Sequence, residues 1–199
     1  MQFLNKNNSL NSNYVVNKKI LLGFWLYLMS DCIIFSTMFA VYAVLLNDLD
    51  YNIYGMIIIN LPLVLAETFV LLFSSFFFGM AVISFLESKK KIIYFWLSNT
   101  FLFGLCFVSI EIYEFCKLLS KNYGPQRSGF LSAYFTLIGL HAIHIIIGLI
   151  WIIVILLQLK KIGLNNVMYT RMKCLGLFWH FLDIIWIFLF TFVYLFGVC

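Results

Sequence analysis

GFLSAYFTLIGLHAIHIIIGLIWIIVILLQL, residues 129–159, runs for 31 residues without one Lys, Arg, Asp or Glu. As a helix rising 1.5 Å per residue it would be roughly 46 Å long, ample to cross the ~30 Å hydrocarbon core of a bilayer even when tilted. A helix of that length in water needs a charged face, and this one has none. Outward from it, similar apolar runs recur at 20–46, 62–86, 92–118 and 174–198. The composition of the whole chain agrees: 199 residues, 64% hydrophobic, 20% aromatic and only 11% charged, with a mean hydropathy of +1.02. A soluble domain of this size would carry roughly 25% charged residues. The expectation is therefore an all-α, polytopic membrane protein, a bundle of five transmembrane helices. Residues 1–19 form a short polar tail without the apolar centre of a signal peptide, and 20–199 form a single membrane domain.

Charges lie between the spans, and their signs orient the chain. The tail, the 87–91 loop and the 160–173 loop hold ten of the 13 Lys and Arg residues, whereas the 47–61 loop, the 117–128 loop and the C-terminal end hold three. Basic excess marks the cytoplasmic side, so the N-terminus is expected in the cytoplasm and the C-terminus outside. The net charge of +5 thus reflects orientation, and nucleic acid is excluded as a partner. No Walker loop, GxGxxG or CxxC occurs, and no pair of Gly/Pro-broken helices suggests an alternating-access transporter. Pro62 and Pro125 stand at helix entrances. Cys32, Cys106, Cys116, Cys174 and Cys199 are odd in number and lack ligand spacing, which reads as small buried hydrophobes without a disulfide.

An ionisable residue within a span is costly and marks a partner or a function. Eight qualify: Asp31, Glu67, Glu111, Glu114, His141, His144, His180 and Asp183. Counting along each span puts Asp31 about 16 Å, His180 about 9 Å and Asp183 about 14 Å from the cytoplasmic side, with His141 and His144 at a similar level. These five are expected to meet in the inner half, with Glu67, Glu111 and Glu114 forming an outer group. Glu111/Glu114, His141/His144 and His180/Asp183 each share a helix face at i,i+3.

No Lys or Arg lies deep in a span, and burial without a cation favours a neutral carboxyl. Asp31 reads either as an interhelical hydrogen-bonding link or as a proton-relay site. Paired histidines also invite haem or metal ligation, but Ile and Leu crowd the helix beyond His144. Trp151, Trp179, Trp186 and the 73–78 Phe-rich run are expected to face lipid or partner helices, and Ser75 with Gly79 to permit one close helix contact. From the residues alone, a membrane-complex subunit, a proton-coupled transporter or channel, and a haem-binding electron carrier all stay open.

Four motifs carry a resemblance. WHFLDIIW (179–186), GLHAIH (139–144), GLCFVSIEIYEF (104–115) and YLMSDCIIFS (27–36) together resemble, in order and at fitting intervals, subunit III of the haem-copper respiratory oxidases. The absence of two further helices before the Asp31 helix, and the wording of LLGFWLYLMSDC (21–32) and GPQRSGFLSAYF (124–135), resemble the five-helix branch found in bacterial cytochrome bo-type ubiquinol oxidases. The resemblance implies an accessory, non-catalytic subunit of an aerobic electron-transport complex in the bacterial inner membrane. It implies no cofactor in this chain, with haem and copper in a partner, the catalytic subunit I. Subunit II, a small subunit IV and membrane phospholipids complete the expected partners. Asp31, Glu114, His141, His144, His180 and Asp183 fall on motif positions; Glu111 stands where some members of that family carry an amide.

Overall fold

The computed structural model describes residues 2–45 and 61–195. The expected span ends at 46 and at 196–198, most of the 47–61 loop and Cys199 lie outside them. Five long helices are described: α1 Gln2–Leu45, α2 Leu61–Leu86, α3 Lys90–Ser120, α4 Gly129–Ile162 and α5 Asn166–Leu189, the last continued by a π-helical turn, Phe190–Leu195. Each contains a stretch long and apolar enough to span a bilayer.

The long helices cover the apolar runs and overrun them. α1 starts inside the polar tail, because nothing between Asn13 and Ile20 breaks a helix: the stretch holds neither Pro nor Gly. α5 starts at Asn166, eight residues before the expected 174, since the Asn165 side chain accepts the Asn166 backbone N–H at 2.8 Å and caps it. The connections beside the basic residues shrink accordingly. Three residues separate α2 from α3, with Ser88 at φ 58°, and three separate α4 from α5, with Gly163 at φ 74°. Gly163 ends α4 in the left-handed region that disfavours a side chain. On the opposite side Ser128 caps α4 by accepting the Leu131 N–H.

α2 and α3 form the tightest hairpin, while α5 packs against α1, α2 and α4, and α4 also meets α1 and α3. α5 is therefore the central helix: half of its span is buried, against 22% for α1, which lies at the edge. What lets α5 sit so deep is a set of notches. A Cβ at Gly104 would stand 2.8 Å from Leu149 Cδ2 and 3.1 Å from Trp179 Cη2, and one at Gly148 would stand 2.9 Å from Trp179 Cζ3. The Trp179 indole is thus received between glycines of α3 and α4. Gly176 makes equal room for Phe78, 2.8 Å from its Cε1. The expected contact at Gly79 is not made, because a Cβ there would meet nothing within 4 Å.

Candidate functional site: polar groups inside the bundle

Asp31 on α1 and His144 on α4 face each other, with His144 Nε2 3.7 Å from Asp31 Oδ2. His144 Nδ1 lies 2.8 Å from the Leu140 carbonyl. A carbonyl only accepts, so Nδ1 carries the proton and Nε2 is the nitrogen presented to the carboxyl. At 3.7 Å the two groups lie just beyond direct hydrogen-bond distance. Phe35, one turn beyond Asp31, packs on the His144 ring at 5.3 Å between centroids and screens the pair.

The second polar group ties α5 to α2. Asp183 Oδ2 accepts from Ser75 Oγ and stands 3.6 Å from His180 Nδ1. Either side of this group, the tryptophans of the 179–186 motif donate to α2: Trp179 Nε1 to Ser74 Oγ at 3.1 Å, and Trp186 Nε1 to Thr68 Oγ1 at 3.0 Å. Ser74 in turn donates to the Thr100 carbonyl at 3.2 Å, carrying the chain of bonds on to α3. Hydropathy does not single out Ser74 and Thr68 among their apolar neighbours, although a buried indole N–H usually finds an acceptor. Trp179 and Trp186 are fully buried against neighbouring helices, away from lipid; Trp151 is half-buried.

The five inner residues do not converge into one cluster. His141 is fully buried, and among the described residues neither ring nitrogen has a hydrogen-bond partner. Its ring stacks on Trp186 at 5.2 Å and meets Phe107 and Phe35 edge-on. One turn separates His141 from His144, and that turn takes it from a carboxylate to an aromatic box. Depth along a helix does not report facing direction, so residues at one level need not meet. The outer group does form: Glu67, Glu111 and Glu114 are all buried and within electrostatic reach of one another across α2 and α3. Among the described residues neither Glu67 oxygen has a hydrogen-bond partner, and Lys117 lies within electrostatic reach of Glu114.

Among the described residues, no three His, Cys, Asp or Glu side chains are placed to hold a metal ion. Cys174 is buried, but Cys32, Cys106 and Cys116 are exposed on the bundle surface, correcting the expectation that all were interior. A thiol is apolar enough to face lipid, so an apolar run does not reveal which way it points.

A cavity of about 790 Å³ opens where the first turns of the α1 span pass the start of α5. Val16, Ile20, Phe24 and Trp151 give it apolar walls, and Asn165 and Arg171 give it a polar rim. Arg171 is fixed by donating to Gln158 Oε1 at 2.6 Å.

The profile of the cytochrome c oxidase subunit III family matches residues 5–198. The chain belongs to the cytochrome c oxidase subunit III family. Among its relatives, cytochrome bo(3) ubiquinol oxidase subunit 3 of Buchnera aphidicola subsp. Baizongia pistaciae is 51% identical, over 90% of this chain and 93% of its own. The protein of the same name from Buchnera aphidicola subsp. Acyrthosiphon pisum is 48% identical over 98% and 94%. That of Pseudomonas putida is 50% identical over 89% and 86%. Every one of the eight intramembrane positions lies within the matched region of this subunit III chain.

Proposed function

We propose that this chain is subunit 3 of a proton-pumping cytochrome bo-type ubiquinol oxidase, an accessory subunit that supports assembly, lipid binding and sustained turnover. The observation that carries the reading is near-50% identity, over almost the whole of both chains, to relatives named as that subunit. In this reading subunit I houses the haem and copper, and subunit II and a small subunit IV complete the complex in the bacterial cytoplasmic membrane. The polar groups of this chain then do structural work. Asp31–His144 links α1 to α4, and Ser75–Asp183–His180 links α2 to α5. Polar links of this kind are ordinary between membrane helices. The cavity beside α1 suits a phospholipid, since its apolar walls match acyl chains and Arg171 stands at headgroup level.

The test is purification from native membranes with a tag on this chain. Co-elution with haem-bearing subunits, and oxygen chemistry that persists for the first turnovers of a complex stripped of this chain, is the expected result. A chain that elutes alone, or that is itself coloured by haem, overturns it.

A further inference from the structure

We propose that the lipid-facing surface around His180, where α2 and α5 lie side by side, docks a transmembrane helix of a neighbouring subunit, and that this helix meets the imidazole with a hydrogen-bonding side chain. The inference rests on the proposed membership of an oxidase complex and adds where in this chain the complex takes hold.

Of the eight intramembrane ionisable residues, His180 alone projects outward. Its side chain is 56% exposed, whereas that of Asp183, its partner, is 10% exposed and those of Asp31 and His144 are 9% and 13%. Nδ1 faces Asp183, so Nε2, across the ring, points away from the bundle. His180 follows Lys173, the last basic residue before the span, by seven residues. That is about 10 Å along the helix, well into a hydrocarbon layer whose half-thickness is roughly 15 Å. Acyl chains offer neither donor nor acceptor there, and imidazole is too short to reach the interface as lysine or arginine does. A polar group left unsatisfied in hydrocarbon costs several kcal/mol. At that depth only another protein supplies the missing partner.

The surroundings fit a helix. Phe78 meets the imidazole edge-on at 6.4 Å, and the Asp183 contact holds its other side, so the ring is oriented before anything binds. Phe76 and Ile184 are exposed apolar side chains on the same two helices, at 60% and 53%. Gly79 lies one turn from Ser75, the α2 residue bonded to Asp183, and the space beyond its Cα is open. This small-residue position is not used for packing inside the chain; it leaves room for an incoming side chain.

A photo-crosslinking residue at position 184, one turn beyond His180, tests this in the complex assembled in native membranes. The expected product is an adduct with one other subunit. Its yield should fall about fivefold in His180→Phe and persist in His180→Gln, as loss of one interhelical hydrogen bond predicts. An adduct with lipid alone, in a preparation that retains its partner subunits, overturns the docking surface and leaves subunit membership standing. An unchanged yield in His180→Phe overturns the role of the imidazole. A chain with no partners at all fails the parent reading instead. If His180→Phe does not fold, the adduct formed with native His180 decides.

Discussion

At the level of single residues, His141 shows how a titratable side chain can serve as an aromatic one. With neither nitrogen bonded among the described residues and its ring stacked on Trp186, His141→Phe should leave stability nearly unchanged. His141→Ala should cost about 2–4 kcal/mol through the cavity it opens. Thermal unfolding in detergent measures both, and a His141→Phe variant weaker than His141→Ala would mean that the nitrogens have a partner. Gly148→Ala presses a methyl to 2.9 Å from a rigid indole, and overpacking of this kind costs about 1–3 kcal/mol. Asp31 poses the functional question. Asparagine keeps its size and hydrogen-bonding head but removes the titratable proton, so a linking role predicts near-normal oxidase turnover in Asp31→Asn. Loss of turnover in a fully assembled complex would assign Asp31 to proton uptake. Which polar residues exist was legible in the sequence, since each interrupts an apolar run. Which of them meet was not: Asp31 faces His144 and not His141, a choice set by helix rotation, to which depth counting is blind.

Individual helices were legible through hydropathy to within a few residues wherever a membrane boundary and a helix end coincide, as at Leu86 or Gly129. They diverge at α5. Lys173 and Arg171 mark where the bilayer begins, but the helix begins where its first N–H groups find an acceptor, at Asn165. The extra turns bury Met168, Thr170 and Met172 against the rest of the bundle. Asn165→Ala should therefore fray the start of α5 at a cost of about 0.5–2 kcal/mol. Faster hydrogen exchange at residues 166–169, with protection at 174–186 unchanged, is the expected pattern. Uniform loss of protection along α5 would show that the cap holds more than its own turn. Tight glycine notches are the other feature that hydropathy hides. Gly104 and Gly148 read as ordinary small residues in apolar helices, and only the position of Trp179 between them reveals their use.

Across the whole molecule, the asymmetry of the two faces decides orientation. The loop at 87–89 and the start of α3 bring Lys89, Lys90 and Lys91 together, and Lys160, Lys161, Arg171 and Lys173 flank the short connection between α4 and α5 on the same face. Two antiparallel hairpins thus place their closed ends on one side, and seven cations gather there, whereas the 121–128 connection on the other side carries Lys121 and Arg127. Cations flanking short loops resist translocation, so the 87–89 face should be cytoplasmic. The start of the α1 span, with Lys18 and Lys19, lies on that side too, because Val16 and Ile20 of α1 line one cavity with Asn165 and Arg171 at the start of α5. Single cysteines at Ser88 and Gln126, both exposed, report the two faces directly. The five native cysteines, Cys32, Cys106, Cys116, Cys174 and Cys199, are replaced first, so that each variant carries one thiol. An impermeant maleimide added to intact cells should label position 126 and spare position 88 until the membrane is opened. Labelling of position 88 in intact cells would invert the protein, and would place the polar rim of the α1 cavity, with Arg171, at the outer leaflet.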